Sequence, residues 1–118
     1  MTTHDIGAWG EKTAQKYLKK KGYKIKTANY RSKFGEIDII AEKGSTIAFV
    51  EVKLRKNENF GRACEFVTYS KQKKLRITAE LWLAENKTEK IPQFDVVEIY
   101  APNGIDGEYK LNHIENAF

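Results

Sequence analysis

Apolar and polar positions along the chain switch between helical and alternating periods, and the switches mark its elements. From Asp5 to Lys21, Ile6, Trp9, Gly10, Ala14, Tyr17 and Leu18 form one stripe at helical spacing. Lys12, Lys16, Lys19 and Lys20 lie opposite, and Gly22 ends the run. Glu11 is the exception: at about 100° per residue it falls beside Leu18, on the margin of the apolar stripe. Tyr23 to Ala28 reads as a first strand, followed by a polar segment from Asn29 to Gly35. Between Glu36 and Lys53, two short runs rich in β-branched residues flank Lys43-Gly44-Ser45, the pattern of a β-hairpin. A polar, glycine-containing loop, suited to movement, is expected from Leu54 to about Glu65. A second helix runs from Thr68 or Ser70, either hydroxyl serving as cap, to Asn86. Leu75, Ala79 and Trp82 mark its inner face; Thr68 and Lys71 project onto that face and Lys74 does not. Pro92 interrupts the chain before a strand from Phe94 to Tyr100. Asn103-Gly104 and Asp106-Gly107 are turn signals, and Tyr109 to Ile114 reads as a short fifth strand. The order is α-β-β-β-α-β-(β), read as one domain over residues 1–118.

The hairpin carries charges inside apolar runs, and these are costly to bury unless paired, metal-bound or catalytic. With a four-residue loop from Glu42 to Ser45, Ala41 faces Thr46 and Asp38 faces Phe49. Side chains alternate, so Phe49, Glu51 and Lys53 share the face of Asp38. Asp38 and Glu51 are then diagonal neighbours, roughly 7–8 Å apart at the backbone, near enough to share one cation. An odd loop would send Asp38 to the opposite face.

Composition narrows the setting. In 118 residues, 21 Lys and Arg exceed 16 Asp and Glu, for a net charge of +5. That balance favours an anionic partner such as nucleic acid. The single cysteine, Cys64, excludes an internal disulfide and a cysteine metal cluster, and points to a reduced cytoplasm. His4 and His113 are too few and too far apart to suggest zinc. No apolar signal core opens the chain and no stretch approaches the ~20 apolar residues of a membrane span, so no membrane partner is expected.

A helical glutamate, a strand aspartate and Glu-x-Lys on the next strand together resemble the PD-(D/E)xK nuclease superfamily. Within it the pattern is similar to archaeal Holliday-junction resolvases. More closely, the chain resembles the YraN family of small bacterial nuclease-like proteins. The likeness is carried by Gly7, Gly10, Glu11, Ala14 and Leu18, by Asn29-Tyr30-Arg31, and by Gly35-Glu36-Ile37-Asp38. It continues through Phe49-Val50-Glu51-Val52-Lys53 with Arg55, Phe60-Gly61, Lys71-Gln72 and Phe94-Asp95-Val96-Val97. Gln93 departs from it, standing where relatives carry Arg.

The resemblance implies a restriction-endonuclease-like α/β core, a mixed β-sheet flanked by helices. It implies Mg²⁺ or Mn²⁺ held by Asp38, Glu51 and the Val52 carbonyl, with Glu11 completing the metal site. Such an ion polarises a scissile phosphate and lowers the pKa of attacking water. Lys53 would orient that water or steady the developing charge, and Lys71 would reach in from the second helix. Arg31, Lys33, Arg55 and Lys71 would hold the nucleic-acid backbone by charge, DNA in preference to RNA. Analogy with resolvases adds a two-fold homodimer.

Plainer readings stand beside these. Glu51 and Lys53 alone read as an ion pair on an exposed edge strand. Asp95 shares its face with Val97 and Ile99 and is expected to pair internally with an arginine. Trp9, Trp82 and the tyrosines read as packing, and Cys64 as inert. The function expected is metal-dependent cleavage of DNA, branched or structured DNA included. The alternatives are an inactive nucleic-acid-binding module of the same fold and a protein adaptor in DNA processing or uptake.

Overall fold

The computed structural model describes residues 3–55 and 67–118. Helix α1 (Thr3–Lys20) precedes three strands, β1 (Lys24–Ser32), β2 (Gly35–Lys43) and β3 (Thr46–Arg55). Helix α2 (Tyr69–Asn86), β4 (Ile91–Tyr100), a 3-10 turn (Gly104–Asp106) and β5 (Lys110–Ile114) complete the order. The strands form one five-stranded sheet in chain order. Its pairings are antiparallel except β3 with β4, which run parallel across α2. This is a mixed α/β fold in the expected element order. Among the described residues, no helix is long and apolar enough to cross a membrane.

Each face of the sheet buries its own cluster. Ala14 and Leu18 of α1 pack with Ile39, Ala41, Ala48, Val50, Val97 and Ile99. Leu75, Ala79 and Trp82 of α2 pack with Ile40, Ile47, Phe49 and Val96 on the other side. Alternating residues of β3 therefore serve opposite helices, the even positions α1 and the odd positions α2. Trp9 and Trp82 both pack, as expected. Helix α1 stops at Gly22, whose φ of 95° is one that side chains avoid. Helix α2 starts at Thr68, whose hydroxyl accepts from the Lys71 N–H, which settles the choice between Thr68 and Ser70.

Several sequence expectations shift. The polar segment after Ala28 is strand, because β1 pairs with β2 as far as Ser32 opposite Gly35. The hairpin loop is two residues, Gly44-Ser45, and not four, since Lys43 pairs with Thr46. Gly44 takes φ 58°, fitting the left-handed first position of a tight hairpin turn. The loop count stays even, so Asp38 and Glu51 still share a face, but the register moves by two. Asp38 then falls opposite Glu51 instead of Phe49. Strand β3 is central, between β2 and β4, so the edge-strand reading of Glu51 and Lys53 does not hold. Pro92 lies within β4, opposite Ile47, and not ahead of it. The loop expected after Lys53 starts later, for Leu54 and Arg55 belong to β3; residues 56–66, with Phe60, Gly61 and Cys64, lie outside the described residues.

The β1–β2 ladder is irregular beside Asp38. Its pairs Ala28–Ile39 and Tyr30–Ile37 flank Asn29 and Asp38, which are themselves not paired. Asn29 adopts a left-handed φ of 54°. Across this step alternation slips: Ile39 joins the α1-side cluster and Ile37 the α2-side cluster. The register is unchanged across the step, the ladder's one shift lying between Ile25 and Thr27, and asparagine stands at the position that needs positive φ. Replacing exposed Asn29 with valine is expected to cost roughly 1–2 kcal/mol, because a β-branched side chain resists that backbone. Asn29→Gly is expected to stay within roughly 0.5 kcal/mol of wild type. Urea denaturation of the two variants checks this.

Candidate metal centre

Asp38 sits where β2 and β3 part. Their regular ladder ends at Ile39 opposite Val50. Beyond it, the Val52 N–H donates to Asp38 Oδ2 at 2.8 Å, so a side-chain carboxylate bridges the strands there. Two depressions open beside this point and share Asp38 and Glu51 in their walls. One is bounded by Gly35, Glu36, Lys71 and Lys74. The other is bounded by Gly7, Glu11, Val52 and Lys53. The structure therefore brings Asp38, Glu51, Glu11, Lys53 and Lys71 to one place from four elements. Glu11 reaches it because Gly10 lets α1 lie close to β3: a Cβ there would meet Leu54 Cδ2 at 3.1 Å.

The electrostatics are those of crowded acids. Burial first, then the charge of Glu51, push the Asp38 carboxyl up from 3.8 to about 7; Glu11 and Glu36 push the same way, and the Val52 N–H pulls back. Glu51 is mostly buried, and Lys71 Nζ donates to its Oε1 at 2.8 Å. Asp38, Glu51 and Glu11 offer hard oxygen donors whose mutual repulsion a dication would relieve, so the residues present fit Mg²⁺ or Mn²⁺.

A second acidic group does not fit as well. Ligand atoms of Asp95, His113 and Glu115 lie within 4.8 Å of one another. Each is already engaged by protein. Asp95, fully buried, accepts from Gln93 Nε2 at 3.0 Å and from the Asn116 N–H at 3.1 Å, and His113 Nε2 lies 2.8 Å from it. Tyr17 Oη lies 3.2 Å from His113 Nδ1, and Tyr23 Oη donates to Glu115 at 3.3 Å. Burial, with Asp95 and Glu115 nearby, pushes the Tyr23 phenol up to about 12. This is a closed network that fastens the end of the chain to α1. The arginine expected for Asp95 is replaced by a histidine, with Gln93 a further donor.

The nucleic-acid-binding candidates separate. Arg55 is 7% exposed and ion-paired with fully buried Glu98, which also accepts from Asn112 Nδ2 at 3.1 Å. That corrects its expected place at the surface: an acid on the neighbouring strand draws it into the sheet. Arg31 stays open at 76% exposure, 3.4 Å from Glu36 across the β1–β2 ladder. Lys33 lies over the Phe34 ring, 5.2 Å from its centroid. Sequence reasoning passed over Glu36, although it lies two residues before Asp38. It also excluded Lys74, whose side chain spans the angle that projection put between it and Lys71.

The shifted carboxyl gives a pH signature. The folded protein keeps the Asp38 proton to higher pH than the unfolded chain does. Ionising it therefore costs the folded state, and metal-free stability should fall as pH rises from about 4 to about 7. Asp38→Asn is expected to flatten that slope and to raise the melting temperature near pH 8. Thermal melts in chelator across this range check it; an unchanged slope would mean that Asp38 ionises normally.

Comparison with known proteins adds a family. Residues 10–99 match the profile described as uncharacterised protein family UPF0102. A UPF0102 protein of Alkaliphilus oremlandii is 47% identical over 116 residues, covering 96% of this chain and 97% of the relative. One from Clostridioides difficile is 45% identical and covers 100% of both chains. A UPF0102 protein of Vibrio parahaemolyticus is 43% identical over 114 residues, covering 95% of this chain and 90% of its own. With the profile spanning most of the chain and these relatives matching end to end, this protein belongs to the UPF0102 (YraN) family.

Proposed function

We propose that this protein is a Mg²⁺- or Mn²⁺-dependent endonuclease that hydrolyses phosphodiester bonds in DNA, branched or structured DNA included. The observation that carries the reading is the crowding of Asp38, Glu51 and Glu11 at the strand break, with Lys53 and Lys71 against the same walls. The mixed sheet and the α-β-β-β-α-β order support a restriction-endonuclease-like core. An aspartate forced partly out of its ionised state is poor design for packing alone and well suited to binding a cation.

In this reading Asp38, Glu51 and Glu11 would hold the ion, with the Val52 carbonyl as a further donor. A bound divalent cation supplies Lewis acidity and an acidified water. Lys53 lies on β3 two residues beyond Glu51 and stabilises charge that develops on the phosphoryl oxygens. Lys71 acts as counter-ion to Glu51 and becomes available to the substrate phosphate once that carboxylate has another partner. Arg31 and Lys33 keep the DNA backbone at the mouth.

Titration with Mn²⁺ by calorimetry tests the centre directly. Wild type is expected to bind, and Asp38→Ala to lose binding. With flapped and four-way-junction DNA, Lys53→Ala is expected to keep the metal and lose cleavage by roughly a hundredfold or more. DNA binding without metal-stimulated cleavage, unchanged in Asp38→Ala, would instead identify a binding module.

A further inference from the structure

One residue before the cavity-lining Gly35 stands an aromatic ring that the cleavage reading leaves unused. The turn joining β1 to β2 places Phe34 at its tip, 41% exposed. A lone exposed ring is ordinary on a protein surface, so its meaning rests on what surrounds it. This turn is held firmly. Ser32 Oγ accepts from the Phe34 N–H at 3.1 Å and lies 3.3 Å from the Gly35 carbonyl and 3.2 Å from Thr78 Oγ1 of α2. The next residue, Gly35, already lines the cavity that holds Asp38 and Glu51. Along an extended strand Phe34 is about 13 Å from Asp38, roughly four base steps of 3.4 Å.

Three cations and one acid, Glu36, which pairs with Arg31, lie around the ring. Lys33 sits over the ring, exposed Arg31 is on the same hairpin, and Lys74 packs against Gly35 across the turn. A protein partner that covered an exposed ring could be of any charge. A ring set among cations, beside a phosphodiester-cleaving centre, fits a nucleobase whose own phosphates the cations meet.

We propose that Phe34 is a stacking platform for an unpaired base, and that the substrate is DNA with a single-stranded stretch a few nucleotides from the scissile phosphate. The proposal rests on the nuclease reading and adds to it the class of DNA. In a paired duplex both faces of each base are already stacked, so the ring gains nothing. On a flap, gap or junction it takes a free face.

The test uses short DNA strands carrying 2-aminopurine, with Ca²⁺ in place of Mg²⁺ so that they remain uncut. On wild type, the probe in a single-stranded or gapped site is expected to be quenched on binding. Phe34→Ala should lose the quench and bind such DNA about tenfold more weakly. Phe34→Tyr and Phe34→Trp should retain both, and fully paired duplex should bind wild type and Phe34→Ala alike. If Phe34→Ala quenches and binds like wild type, the platform is overturned and the metal centre is untouched. If wild type takes up Mn²⁺ but binds no DNA, the platform falls and the metal centre stands. If it takes up neither, both readings fall together.

Discussion

The hydrogen bond from the Val52 N–H to Asp38 Oδ2 replaces main-chain pairing at the one place where β2 leaves β3. A carboxylate in that position is drawn out of water and held beside Glu51, so its proton becomes hard to remove. On its other side Asp38 faces Asn29 of β1, a step where the ladder lacks a pair and the backbone takes a positive φ. Stability and site are opposed here. The sheet gives up ladder bonds and tolerates repelling acids at a position that an ordinary hydrophobic strand would close.

The rest of the fold holds that opening in place. Two clusters, one under each helix, clamp β2 and β3 from both sides up to the point where they separate. Helix α1 brings Glu11 through its close approach at Gly10, and α2 brings Lys71 from its capped first turn. Away from the opening, the buried charges of the described residues are matched: Arg55 with Glu98, and Asp95 with Gln93, His113 and the Asn116 N–H. Among the described residues, no buried side-chain polar atom lacks a hydrogen-bond partner. The Asp38 group differs in that, although Lys71 pairs with Glu51, the charges of Glu51, Glu11 and Glu36 all act against ionising Asp38.

Much of this was legible in the chain. Helical spacing located α1 and α2, period-two runs located the hairpin, and the alternation placed Asp38 and Glu51 on one face. That last inference survived a wrong loop length only because two and four are both even. Less legible were β1 beyond Ala28, where polar residues pair with β2 instead of forming a loop, and the interior place of β3. Arg55 has the local pattern of a surface cation, because nothing near it in the chain announces Glu98, 43 residues away.

Periodicity and residue chemistry, both short-range, determined by themselves the element order, the approximate helix spans and the common face of Asp38 and Glu51. The tertiary structure alone decided which charges are neutralised and which are left facing one another. Strand order and parallel pairing juxtapose residues far apart in the chain, and burial sets the dielectric in which they interact. For that reason Arg55 became an internal partner while Asp38 became a strained carboxyl at an open site.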